Sequence, residues 1–436
     1  EAKSQVKCAV CVLINENNAI TLINYKINEQ TKAEKPAPKI STEVMNYIEN
    51  TPEYSCFKHE IPKNLLRKYK NPESMYLINR NTAKLIVDTI SESISKTDPL
   101  VEVNPGFGFL TEELLKIYNN KLYLYESSTT FSKKIKNLEI LYPNKISWQI
   151  ADFFGMWKLA FQDKMDQGNR IEQLLGDLAT DDTDRCVNIV GAMPSLSFVK
   201  HLIYNIVFHN TSDRLGRPDL YITMPGNHFE FITDETIQMS KHKTVPALFQ
   251  LLFDYKLLKT VPKFHYLPWT NPVASRRVSM MDEFSLYLVQ IKQKKKLPCP
   301  PEYLPLLWYF FKPQVFSKTT RVIPMLEQWI PGCGIWLITG QDPPDTNKRL
   351  APDPDDAVLP HITIFTQFGD LSLKQKITVF KKFISWPEFE QCQFRITMEN
   401  NLPKFVSQVD DDDKNTIATD MDDIDSDTEH EPDDKM

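Results

Sequence analysis

LVEVNPGFGFLTEELL, residues 100–115, decides the fold. Leu100-Val101-Glu102-Val103 is a mostly aliphatic run that carries one acid, and Gly106 and Gly108 follow it. In LTEELLKIY the apolar residues Leu110, Leu114, Ile117 and Tyr118 fall at i, i+4, i+7 and i+8, one face of a helix. The two glycines therefore sit in a strand-to-helix turn, where a missing Cβ permits positive φ and a close approach of the backbone to a ligand. Twenty residues past Gly106, Glu126 ends the strand-like KLYLYE. An acid at that place accepts hydrogen bonds from two ribose hydroxyls. Asp152 in IADFF ends the next strand pattern, where it is placed to accept from an adenine amino group. Three elements at successive strand ends predict a nucleoside site.

Outward from this stretch, strand and helix patterns alternate from Tyr76 to about Pro268. The strands are PLVEV, KLYLYE, ISWQIAD, CVNIVGAM and PDLYITM. LTEELLKIYNN, FSKKIKNLEILYP and SLSFVKHLIYNIVFHN lie between them as helices. Such alternation implies a parallel α/β sheet wound on both faces. After Pro268-Trp269 the texture changes. Residues 275–296, the WYFF segment and LSLKQKITVFKKFISW read as a mainly helical domain with a proline-rich loop at 342–360. The expected organisation is an N-terminal extension (1–70), the α/β domain (71–272), a mainly helical C-terminal domain (273–407) and an acidic, disordered tail (408–436).

With 436 residues and 42% hydrophobic composition there is material for a sizeable core. No run of eighteen apolar residues occurs, so no membrane span is expected. The chain begins with Glu, which is expected of a processed or truncated chain, one from which a targeting segment can have been removed. Its formal net charge of −6 conceals an asymmetry, because residues 410–436 alone carry −11 and the remaining body is about +5. A mildly basic body with an acidic tail suits a nucleic-acid binder that carries its own competitor; the plainer reading is a solubilising tail. Seven scattered cysteines do not make a disulfide framework and point to a reducing compartment. Cys8-x-x-Cys11 and Cys56-x-x-His59 have zinc-like spacings, but 44 residues separate them and CAVCVLI reads as a buried strand. Structural cysteines, and no metal, are expected.

VEVNPGFGFLT resembles the E-[IV]-G-P-G-x-G-x-L-T motif of the rRNA adenine dimethyltransferase family. SMYLINRNTAKLIV is similar to that family's Q-x-F-L-x-D segment, with Leu77 at the position that lines the cofactor. HKTVPALFQLLFDYKLLKTVPKFHYLP is similar to its S-V-x-x-Q…V-P-x-x-F-x-P segment through Val245, Gln250, Val261, Pro262, Phe264 and Pro268. The resemblance spans roughly residues 74–272. It implies a Rossmann-like, S-adenosylmethionine-dependent methyltransferase domain followed by a smaller helical domain. The cofactor residues it implies are Leu77, Asn104, Gly106, Gly108, Glu126 and Asp152, with Asn104 standing where the family has the first glycine.

The departures carry as much information. The family places N-L-P-Y or N-P-P-Y after the fourth strand, and here the residues are Ala192-Met193-Pro194-Ser195. An adenine amine is a poor nucleophile, since its lone pair is delocalised into the ring. The enzyme must flip the base, stack it on an aromatic ring and polarise the amine through a side-chain amide and nearby carbonyls. Ala192 offers no side-chain acceptor and Ser195 no stacking face. Retained cofactor acids with a degenerate quartet resemble the mitochondrial transcription factor B group, its second paralogue most of all. That resemblance implies an initiation factor in the mitochondrial matrix, which joins the single-subunit mitochondrial RNA polymerase, helps melt promoter DNA and holds it near the start site. The alternative is an S-adenosylmethionine-dependent dimethyltransferase of mitochondrial small-subunit rRNA. A third reading is a cofactor sensor.

Phosphate contact needs cations that reach the backbone. Candidates are Arg276 and Arg277 after the Pro268-Trp269 corner, the run Lys292, Lys294, Lys295 and Lys296, the group Lys133, Lys134 and Lys136, and Lys381 and Lys382 near Trp386. Arg276 and Arg277 are favoured, because the family lays nucleic acid in the cleft between its domains. His265 and the run Trp308–Phe311 read as core.

Overall fold

Seven strands form one twisted sheet in the computed structural model, which describes residues 40–182, 184–209, 214–233, 244–270, 285–312, 319–341 and 356–400. In chain order they are β1 (Leu100–Val103), β2 (Leu122–Glu126), β3 (Ile146–Ile150), β4 (Cys186–Ala192), β5 (Arg217–Pro225), β6 (Phe253–Pro262) and β7 (Ser285–Gln293). Their spatial order is β3-β2-β1-β4-β5-β7-β6. The first five are mutually parallel, and β7 is antiparallel to both β5 and β6. The five strand patterns read from the sequence are all present within one or two residues of their expected limits.

Both faces of the sheet are buried. Leu100, Leu122 and Leu124 point into one core, with Ala83, Ile86, Val87 and Ile90 of helix Arg80–Ile90 and Leu110 and Leu114 of helix Phe109–Ile117. Val101, Val103, Val187 and Ile189 point into the other, against Phe198, Val199 and Leu202 of helix Ser197–Phe208. Each such side chain contributes about 1.5–3 kcal/mol by leaving water. Asn79 starts helix Arg80–Ile90 by accepting the Thr82 N–H through its side chain at 2.8 Å.

The helical C-terminal region builds on the second core. Trp308 of helix Leu304–Phe310 meets Phe208 edge to face, with centroids 5.2 Å apart. Phe310 in turn packs on Phe380 and Phe383 of helix Leu373–Ser385. Trp308, Tyr309, Phe310 and Phe311 are all buried, as the sequence led one to expect of a core run. His265 is half-buried with its Nδ1 2.7 Å from the Thr82 hydroxyl.

Two expected boundaries fall elsewhere. β7 lies inside residues 275–296, the stretch read as helical, so the sheet continues past the boundary placed at 272/273. Leu286 and Leu288 of β7 enter one core while Val289 and Ile291 enter the other. A register shift between Leu288 and Val289 sets two buried residues side by side and switches the buried face, which interrupts the polar–apolar alternation of a strand. The extension placed at 1–70 also ends earlier. Val44 and Ile48 of helix Thr42–Asn50 are fully buried, Tyr47 packs on Phe264 and Trp269, and Lys68–Tyr69 pairs with Trp269–Thr270. The compact unit begins at Ile40. CAVCVLI and the acidic tail lie outside the described residues. Cys56 is exposed, and among the described residues no group of three or more His, Cys, Asp or Glu is placed to hold a metal ion. Among the same residues no helix is long and apolar enough to cross a membrane.

Candidate nucleoside site

The loop between β1 and helix Phe109–Ile117 holds Asn104 at φ 55°, Gly106 at 53° and Gly108 at 77°. At Gly106 a Cβ would stand 2.6 Å from Tyr76 Cδ1, so this position excludes a side chain on space, and its φ disfavours one as well. Gly108 caps the helix, and a Cβ there would meet Leu138. Asn104 replaces a glycine with an anchor. Its N–H donates to the Tyr125 carbonyl at 2.7 Å, and its Oδ1 accepts from the Ser127 N–H at 3.1 Å. Asn tolerates the left-handed region better than most residues, and here its amide ties the turn to the end of β2.

Glu126, at that strand end, is wholly buried at 0% exposure. Its Oε1 accepts from the Tyr76 hydroxyl at 2.9 Å and from the Ser128 N–H at 2.8 Å. Its Oε2 accepts from the Gly106 N–H at 3.0 Å. Burial holds the carboxyl above its ordinary pKa, while these donors pull it back. Burial and the neighbouring Glu126 charge keep the Tyr76 hydroxyl protonated, hence a donor.

Beside this pair lies a cavity of about 20 Å³, the room that one ordered water needs. Leu77, Glu102, Asn104, Ala192, Tyr221 and Tyr266 line it. Glu102 is 1% exposed; the neighbouring Thr111 hydroxyl supports its carboxyl only weakly, short of well-formed hydrogen-bond geometry at Oε2. Burial pushes its carboxyl up to about 8, with the Thr111 hydroxyl pulling it back and the Glu126 charge adding to the rise. A buried acid with one oxygen unsatisfied is costly, and a hydrogen-bond donor or a cation in the cavity would relieve that cost.

The stretch after β4 presents little chemistry to this space. Ala192 lines the cavity and Met193 is buried, its N–H donating to the Thr223 carbonyl at 2.8 Å. Ser195 Oγ donates to Ser197 Oγ at 3.4 Å. The aromatic rings at the cavity come from Tyr221 and Tyr266 instead. Both hydroxyls are engaged, Tyr221 with the Ser93 carbonyl at 2.6 Å and Tyr266 with Thr223 Oγ1 at 3.2 Å.

Among the expected cofactor residues, Leu77 and Asn104 share the cavity wall, and Gly106 and Glu126 are directly bonded. Asp152 stands apart from the cavity lining. Half-exposed, it accepts the Gly155 N–H at 2.9 Å and pairs with Lys158 at 3.5 Å. Tyr76 and Glu102 were not picked out from the sequence. The signal for Glu102 is an acid inside a strand whose four residues are all buried. For Tyr76 it is a hydroxyl where the resembling segment has Phe.

The basic run divides. Lys292 pairs with Asp219 at 3.0 Å, and Lys294 Nζ donates to the Gln250 carbonyl at 2.6 Å. Only Lys295 and Lys296 are exposed. The register sets Leu286 opposite Pro225 and Lys292 opposite Asp219, so the run emerges at the edge of the sheet opposite to Glu126 and the glycine turn. An antiparallel strand reverses the edge at which its C-terminal lysines appear, which removes them from the nucleoside site. Lys134 pairs with Glu60, Lys381 pairs with Asp356, and Trp386 is buried. Arg276 and Arg277 lie outside the described residues.

The residue types fit a nucleoside that carries an ammonium group, such as S-adenosylmethionine: a glycine turn, a buried acid with one unsatisfied oxygen, and a second buried acid at the end of the neighbouring strand. The described conformation is closed, with Tyr76 over the turn.

Residues 66–333 match the ribosomal RNA adenine dimethylase family. Dimethyladenosine transferase 2, mitochondrial, of Drosophila melanogaster is 32% identical over 393 residues, covering 82% of this chain and 86% of that protein. Among solved structures, the 23S rRNA methyltransferase ErmE aligns with a TM-score of 0.42 at 13% identity, over 71% of this chain and 99% of that one. A dimethyladenosine transferase from Plasmodium falciparum aligns with 0.41 at 12% identity, over 71% and 97%. By the extent of the family match and by the fly relative, this chain belongs to the ribosomal RNA adenine dimethylase family.

Proposed function

We propose that this chain is a mitochondrial transcription initiation factor, acting with the single-subunit mitochondrial RNA polymerase to melt promoter DNA and hold it near the start site. Its methylation chemistry has been largely given up. The observation that carries this reading is the stretch after β4, where Ala192 and Met193 bring no side-chain acceptor and Ser195 turns to Ser197. Adenine methylation needs an acceptor on the amine and a ring against the base. The basic body and the fly relative's mitochondrial designation support the setting.

Dimethylation of mitochondrial rRNA is the second reading, favoured by Glu102 and Glu126 standing in place. In that case Glu102 holds the donor's amine and Glu126 its ribose hydroxyls, and the donor supplies a methyl group. Run-off transcription from a mitochondrial promoter, with the cognate polymerase alone and with this chain added, separates the two. Stimulation without methyl transfer to a small-subunit rRNA hairpin supports the factor. Transfer without stimulation replaces it by the enzyme.

A further inference from the structure

A carboxylate accepts in roughly four directions. At Glu126 three are occupied, two on Oε1 by Tyr76 and Ser128 and one on Oε2 by Gly106. Two neighbouring ribose hydroxyls need acceptors on both oxygens. Of the three donors already present, two are backbone N–H groups fixed by the fold. The Tyr76 hydroxyl is the one that can leave. It also has a second partner within reach, since Ser127 Oγ lies 3.3 Å away. The Tyr76 ring is held independently of its hydroxyl, against Phe131 with centroids 4.7 Å apart and over the space above Gly106.

We propose that the Tyr76 hydroxyl is an internal competitor for the ribose position: it occupies Glu126 in the ligand-free chain, must shift toward Ser127 for a nucleoside to bind, and so sets the nucleoside affinity of this site. The inference rests on the reading of the Glu126 region as a nucleoside site. Because the segment SMYLINRN resembles one with Phe at this position, the hydroxyl is the single atom that distinguishes the two cases. The consequence is a fold whose ribose acid is satisfied without a ligand, so that the chain keeps its shape whether or not a methyl donor is present. A weakly held nucleoside is then the result of an added hydrogen bond rather than of a lost one.

The test is calorimetric titration of the full chain with S-adenosylhomocysteine, for wild type, Tyr76→Phe, Glu126→Gln and Ser127→Ala, with thermal unfolding of each ligand-free variant as the fold control. Removal of the competing bond to a charged group is expected to tighten binding by about tenfold or more in Tyr76→Phe. Glu126→Gln is expected to weaken binding, and Ser127→Ala to weaken it only where Tyr76 is present, so that the double variant with Tyr76→Phe binds like Tyr76→Phe alone. Equal or weaker binding by Tyr76→Phe, with Glu126→Gln still weakening binding, overturns the competitor and leaves the nucleoside site standing. Binding that is undetectable in every variant, or indifferent to Glu126→Gln, overturns the nucleoside reading and the competitor with it.

Discussion

Replacing Glu102 by Gln removes a proton-holding group from the centre of the sheet, and the consequence is a change in how stability depends on pH. The native carboxyl sits at about 8 against an ordinary 4.5, because burial disfavours its charged form. Between these values the folded chain binds a proton that the unfolded chain releases, so stability falls as pH rises. The contribution is fully present below about 4.5 and is lost as pH passes about 8. At about 1.36 kcal/mol per pH unit, the whole span is on the order of 5 kcal/mol, and the part lost by pH 7 is on the order of 3 kcal/mol. Glutamine keeps the shape, and its amide can donate to the neighbouring Thr111 Oγ1. Glu126 and His228 also have displaced values, so only the difference between wild type and Glu102→Gln isolates this group. Urea unfolding followed by far-ultraviolet circular dichroism at pH 5, 6, 7 and 8 measures that difference. The variant is expected to gain on wild type steadily, by several kcal/mol across the series. A difference that stays constant within 0.5 kcal/mol, a spread on the order of ordinary error in such fits, refutes the placement of a protonated Glu102 in the core.

Other outcomes are expected. Ile291→Ala should cost about 2–4 kcal/mol, because Ile291 is fully buried between the sheet and the second core; a cost under about 0.5 kcal/mol, as at a surface position, contradicts β7. Arg276→Ala with Arg277→Ala should weaken promoter binding and reduce the salt slope by about 2; an unchanged slope removes both as phosphate contacts. Deletion of residues 410–436 should raise affinity for non-specific duplex DNA if the tail competes with it, and equal affinity in filter binding assigns the tail to solubility.

Much of the site was legible because its signals are local. Gly106 and Glu126 declare themselves by spacing, and the strand ends they occupy follow from the alternation of elements. Tyr76 was not legible, because its importance arises from a contact 50 residues away in the chain, and nothing in SMYLINRN says that the ring covers Gly106. Asp152 shows the reverse case. It stands just past a strand end, and its side chain accepts from the Gly155 N–H and pairs with Lys158 outside the cavity lining.

The sequence alone determined the parallel strands, the glycine turn, the buried acid that ends β2 and the family resemblance, since each depends on residues within one strand–turn–helix unit. Tertiary structure alone decided that 285–293 is a strand, that residues 40–70 belong to the sheet's unit and that the lysine run emerges at the far edge. It also decided that Glu102 has no partner for its Oε2 and that Glu126 already has three donors. The reason is physical. Period and propensity report on neighbours along the chain, whereas a bulge that switches a strand's buried face and the filling of a carboxylate's lone pairs depend on atoms brought from distant segments.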